Sequence, residues 1–397
     1  MMQKEFPVSL AQLTRWTEDM VAIPSYPGIP AQERAVADYI KAIFDAEGIP
    51  CRVEPLPDGR ANVIAVLKGT GGGRTLLFNG HMDTVPPYDM DGACTPRMEG
   101  DRLYGRGTSD MKGPLATMMG AVIAVKRLGL SLRGDVIFTG VADEEEGSLG
   151  AIHLLEGGLR ADGAIVGEPL STPCIGVAQR GLEWYQVDFT GRTVHGGSQS
   201  TGINAIEKAG HFLRAVEEQL YPALQAVTHP ILGASSVNVA VIHGGTQPST
   251  VAGHCSVQLD RRFLPGLETY EQVTQQLQAL LDRLAAEDPD FHAVLSVLPA
   301  SVMVRGYLHQ GFETSPEEPL VQCCIQAGEC ALGAPLQCVP VPCWTDAGLL
   351  SHYGGIPTVV WGPGSMEQCH SREEFICPED MHRCAAAYLE AICRFCR

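Results

Sequence analysis

The 397-residue sequence predicts an α/β fold with a mostly parallel sheet, interrupted by a smaller β-α-β-β-α-β domain. Three observations predict it. Short apolar runs alternate with amphipathic helical stretches, which is the pattern of parallel strands joined by helical crossovers. A middle stretch changes rhythm to longer strands and two helices. Residue types able to hold cations follow directly after the apolar runs, where open parallel sheets place their ligands.

Residues 32–48 read as an amphipathic helix, with Val36, Ile40, Ile43 and Phe44 on one face and Gly48 as its stop. Runs at 62–67, 75–78, 135–140 and 164–166 read as strands, with a helix at 112–128 between two of them. The middle stretch opens with a strand at 183–190. A helix at 204–220 follows, with Ile206, Ala209, Leu213, Val216 and Leu220 on one face. Strands at 236–243 and 254–263 come next, then a helix at 269–286. Thr269 and Gln272 form a capping box for that helix, and Val273, Leu277, Leu280 and Leu284 line it. A strand at 292–298 closes the set, and one at 358–361 rejoins the first pattern. The expected division is therefore residues 1–178 with 299–397 as one domain, and 179–298 inserted into it.

A net charge of −18 argues against nucleic acid or an anionic membrane surface as partner. Hydrophobic content of 45% fits a soluble globular protein. The first thirty residues show no leader pattern, with Lys4, Glu5, Gln12, Arg15 and Glu18 interrupting them, and no run is long enough to span a bilayer. A cytoplasmic location is expected. The 14 cysteines cluster late with irregular spacing, so free thiols are expected rather than a disulfide framework. Cys393-x-x-Cys396 lacks a second half for a zinc knuckle and reads as a helix-end pair.

Six segments carry candidate chemistry. His81-x-Asp83 ends a strand, where the imidazole can bind a cation while Asp83 holds its other ring nitrogen. Asp110 lies in a glycine-rich loop entering a helix, and reads either as an N-cap or as a cation ligand favoured by the helix terminus. Asp143-Glu144-Glu145-Glu146 places four acids after an apolar strand, where they repel unless cations are near. Glu168 stands between Gly167 and Pro169 after another strand. Val194-His195-Gly196 supplies a further imidazole. Gly362-Pro363-Gly364 is followed by His370. Two imidazoles and several carboxylates suit hard or borderline divalent cations and leave one carboxylate to activate water.

These segments, in this order, resemble the M20 family of metallopeptidases and amidohydrolases, from about Leu13 to the C-terminus. The resemblance implies a zinc-exopeptidase-like catalytic domain holding two divalent ions, zinc first, with cobalt or manganese as alternatives. Asp110 would bridge them, His81 and Glu168 would complete one site, and Glu145 and His370 the other. Asp83 would orient His81. Glu144 would be the general base, and the cations would polarise the scissile carbonyl. The Asp110-Met111 bond is often cis in this family. The inserted domain would be a lid through which a homodimer forms. His195 would reach the oxyanion, and Arg262 would grip a substrate carboxylate. Gly364 would line the substrate site. Ser249 stands where the family usually has a substrate-touching Asn, and Ala252 where it has Pro. Thr345-Asp346-Ala347 matches a family loop near the site, and Cys369 precedes His370 where a small apolar residue is common.

The expected activity is amide hydrolysis of a small N-acyl amino acid. A dipeptidase or carboxypeptidase is the alternative within enzymes. A metabolite-binding homologue without turnover is the alternative outside them.

Overall fold

Leu76–His81 is a strand whose six residues are all buried, as expected of a strand covered on both faces. In the computed structural model, which describes residues 6–397, it runs parallel to Val136–Val141 on one side and Gly163–Val166 on the other. Thr358–Val360 extends the parallel block. Antiparallel strands flank it: Ala61–Leu67 and Cys51–Pro55 at one edge, and Cys174–Gln179 beyond Thr358–Val360. The sheet is nine-stranded among the described residues, parallel in its centre.

Gly113–Arg127 carries an unbroken run of buried residues from Gly113 to Val125, because its sequence is apolar on every side. Arg34–Ala46 buries Val36, Ala37, Ile40 and Phe44, the face expected from its periodicity except that Ile43 stays at the margin. Leu10–Val21, with a Ser9/Gln12 capping box, and Pro378–Phe395 complete the larger helices beside Pro319–Leu332. These helices belong to the unit made of the chain up to Ala178 together with Phe312–Arg397.

Gln179–Gly311 is a second compact unit. Its four main strands are antiparallel, ordered Ser236–Gly244, His254–Phe263, Gly181–Thr190, His292–Val297. Helices Ala205–Ala215 and Tyr270–Glu287 pack Phe212, Leu277 and Leu281 against Tyr185, Val187, Phe189 and Val257. The Thr269/Gln272 capping box is present.

Two expectations need correction here. The first helix of this unit buries Ala205, Ala209 and Phe212, while Ile206 is exposed. Its inward face is set by Phe212 meeting Phe189. The unit also runs to Gly311 rather than ending at 298. Leu298 N–H donates to the Trp184 carbonyl, and Leu182 N–H donates to that of His309. Residues 299–311 thus stay against strand Gly181–Thr190 through short turns that carry no periodicity to read.

None of the described helices is long and apolar enough to cross a membrane. All 14 cysteines are free thiols.

Candidate metal centre

The parallel strands end on one side with the residues that matter. His81 is the last residue of its strand, Glu144 and Glu145 follow Val136–Val141, Glu168 follows Gly163–Val166, and the turn leading to His370 follows Thr358–Val360. Two donor groups result: His81, Asp110 and Glu168, and Asp110, Glu145 and His370. Asp110 belongs to both.

His81 is buried, and its Nδ1 lies 3.0 Å from the carbonyl of Asp83. A carbonyl can only accept, so Nδ1 carries the proton and the Nε2 lone pair faces inward. The Asp83 carboxylate stands farther off, with Oδ1 at 3.6 Å from Nδ1. Asp83 thus meets the His81 ring twice, through its carbonyl at hydrogen-bond distance and through its carboxylate at longer range.

His81 Nε2 lies 2.9 Å from Asp110 Oδ1 and 3.5 Å from Glu168 Oε1. On the other side, His370 Nε2 lies 3.3 Å from Asp110 Oδ2 and 3.1 Å from Glu145 Oε2. The Asp110–Met111 peptide is cis. Burial opposes ionisation of Asp110, yet hydrogen bonds with His370 and His81 hold its carboxyl below the usual range. Burial pushes Glu168 up to about 8, with the Asp110 and Glu145 charges adding and His81 opposing. Hydrogen bonds to Asp110 and Glu145 raise His370 to about 10.

Glu144 keeps part of its surface exposed but sits in dense surroundings. Burial raises its carboxyl well above the ordinary value; His81 opposes this, and the charges of Glu168, Asp346 and Glu145 reinforce it. Asp346 is buried, and burial raises it to about 7, so the Thr345-Asp346-Ala347 loop does lie beside these groups. Asp143, first of the four acids, turns away and pairs with Arg60 Nη1 at 2.6 Å. Glu146 is exposed.

Gly364 has φ +97, and a Cβ there would stand 2.5 Å from Ser109 Oγ, so no larger residue fits beside the Asp110 loop. In the inserted unit, His195 is exposed and its Nδ1 accepts the N–H of Gly197 at 3.1 Å. Ser249 lies next to it, its carbonyl accepting the N–H of Gly196 at 2.7 Å. Arg262 is engaged by Asp260 through two bonds of 2.7 and 2.9 Å.

Two buried ion pairs escaped the sequence reading. Arg60 is paired with Glu33, which also accepts the N–H of Asp143 at 3.2 Å. Arg106 donates to Glu374 at 2.6 Å. Asp83 Oδ2 accepts the N–H of Glu145 at 3.0 Å. Isolated acidic or basic letters give no sign of such partners.

The donor set fits divalent cations. With Nδ1 protonated, the His81 Nε2 lone pair faces a carboxylate oxygen at hydrogen-bond distance, so a cation or an extra proton must lie between them. Glu145 Oε1 is buried with no hydrogen-bond partner among the described residues. Imidazole and carboxylate together suit zinc, cobalt or manganese.

An open α/β sheet with imidazoles and carboxylates gathered at its strand ends defines a metal-dependent hydrolase. Residues 77–394 match Peptidase family M20/M25/M40, and the chain belongs to that family. An acetylornithine deacetylase of Myxococcus xanthus is 32% identical over 384 residues, covering 93% of each chain. An N-formyl-4-amino-5-aminomethyl-2-methylpyrimidine deformylase of Halalkalibacterium halodurans is 29% identical, covering 91% of this chain and 89% of its own. The aminopeptidase PepT of Bacillus cereus shares the fold, with a TM-score of 0.79 at 22% identity over 97% of this chain and 99% of the other. The chain is accordingly a metal-dependent amidohydrolase.

Proposed function

We propose that the protein binds two divalent cations and hydrolyses the amide bond of a small N-acyl amino acid. The observation that carries this reading is the position of Asp110, whose two oxygens serve two separate donor groups, with Glu144 left outside both. His81 and Glu168 would hold one cation, and Glu145 and His370 the other. When bound, the cations polarise the scissile carbonyl and lower the pKa of water.

Glu144 supplies the proton transfer. It removes a proton from the attacking water and returns it to the departing amine, a role open to a carboxyl that belongs to neither donor group. Asp83 holds the loop beside it by accepting the N–H of Glu145. His195, Ser249, Arg262 and Gly364 are proposed to contact the substrate: His195 at the oxyanion, Arg262 at a carboxylate. The names of the two curated relatives, a deacetylase and a deformylase, support removal of a short acyl group. The deformylase's name describes a pyrimidine rather than an amino acid. With Arg262 already held by Asp260, a substrate lacking a carboxylate is the second reading. We also propose a homodimer through the inserted unit, whose strand Ser236–Gly244 is paired along one side; a monomeric mass by light scattering would overturn it.

The test is a panel of N-acetyl, N-formyl and N-succinyl amino acids and dipeptides, with added zinc, cobalt or manganese and a chelator control. Glu144→Gln should lower turnover about 10²–10⁴-fold with metal content unchanged. Full activity in that variant would remove Glu144 from the base role.

A further inference from the structure

Two candidate ligands lie on segments with little regular structure of their own. Asp110 follows the turn at Gly107, and His370 sits at φ +59 with its side chain half exposed. One buried ion pair joins these segments. Glu374 Oε1 accepts three backbone N–H groups, from Gly107 at 3.0 Å, Ser109 at 2.9 Å and Asp110 at 3.0 Å. Its Oε2 accepts Arg106 Nη1 at 2.6 Å. The same Nη1 also donates to the carbonyl of Ser371, the residue after His370, at 3.3 Å. Arg106 and Glu374 are both buried, at 2% and 0% exposure. Arg106 Nε and Nη2 have no hydrogen-bond partner among the described residues, so Nη1 makes the whole polar attachment.

The other side of the centre is held differently. His81 ends a buried strand, and its ring is fixed by the Asp83 carbonyl. Glu168 follows directly on strand Gly163–Val166. Neither makes a hydrogen bond to the Arg106–Glu374 pair. We infer that Arg106 and Glu374 are positioning residues: they clamp the Asp110 turn to the His370 segment, and so govern the cation on the Glu145–His370 side more than the one on the His81–Glu168 side. This rests on the two-cation reading above. A carboxylate gathering three N–H groups sets the turn's shape, and the guanidinium carries that shape to the segment bearing His370. Groups that orient ligands from behind are typically worth about 10–100-fold in metal affinity.

The experiment titrates the metal-free, full-length protein with Zn²⁺ by calorimetry under chelator competition. Native protein is compared with Glu374→Gln, and with Glu374→Gln combined with Arg106→Met. The single change leaves the Arg106 charge buried and unpaired, and circular dichroism shows whether it folds. The double change removes both charges, leaves an oxygen for the Asp110 turn and cuts the link to Ser371, so it carries the test if the single variant does not fold. His370→Ala marks which binding event belongs to that side. The expected result is two events in native protein and, in the double variant, a fall of about 10–100-fold in the event that His370→Ala removes, with a smaller change in the other. Equal weakening of both events, or of neither, overturns the clamp. A single equivalent bound by native protein overturns the two-cation reading itself and the clamp with it.

Discussion

Asp83 accepts the backbone N–H of Glu145 through Oδ2 at 3.0 Å, while its own carbonyl takes the ring of His81 at 3.0 Å. One residue thus positions a donor in each of the two groups. Asp83→Ala keeps the carbonyl and removes the carboxylate. It should weaken metal affinity by about 10–100-fold, first on the Glu145 side. Competition with a chromophoric chelator measures this, and an unchanged affinity would show that Glu145 is held by its loop alone.

The Glu33–Arg60–Asp143 arrangement supports the loop that presents Glu144. Arg60 is 14% exposed and Glu33 fully buried, so removing one partner strands a charge. Arg60→Met should destabilise the protein by about 3–5 kcal/mol and lower kcat. Glu33→Leu combined with Arg60→Met should cost less than the two single changes added together. Urea unfolding of the four forms gives the answer; strict additivity would mean that the pair does not act as a unit.

Arg262→Ala separates the two substrate readings. If Arg262 leaves Asp260 to bind a carboxylate, KM should rise at least about tenfold for substrates bearing one and stay level for their amides, as expected for loss of a charge-assisted bond. The same change in both series would favour substrates without a carboxylate.

His309 gives a pH signature away from the metal donors. Burial, and then the positive charge of Arg262, depress its pKa to about 4, against roughly 6.5 unfolded. The unfolded chain therefore binds more protons between these values. Stability from this group is present above pH ~6.5 and is lost as pH falls toward about 4, to at most roughly 3 kcal/mol. His309→Gln should flatten the stability profile across that window. A variant profile parallel to the native one would refute the assignment.

Periodicity made much of this molecule legible. Strand His254–Phe263 and the Thr269/Gln272 cap fall where the sequence puts them, because alternation and capping are local properties. His81, Glu145 and Glu168 were legible because each follows an apolar run and strand ends converge in a parallel sheet. What escaped was nonlocal. Glu374 reads as one acid in Arg372-Glu373-Glu374, and nothing local says that it faces Arg106. Asp143 looks like any of the four acids in a row until Arg60 is seen beside it. The spacing of His81 and Asp83 predicts a side-chain pair, and only backbone geometry adds the carbonyl contact to the ring and the Glu145 N–H on the carboxylate.

The donors come from both sides of the inserted unit: His81, Asp110, Glu145 and Glu168 precede it, and His370 arrives after the chain has returned at Phe312. The residues before the inserted unit carry four of the five donors and lack one imidazole. In the two-cation reading proposed above, the Asp110–Glu145–His370 group is therefore complete only with the segment that follows Phe312 in place. Because Thr358–Val360 also belongs to the central sheet, loosening of that segment would disturb the sheet and the Asp110–Glu145–His370 group together.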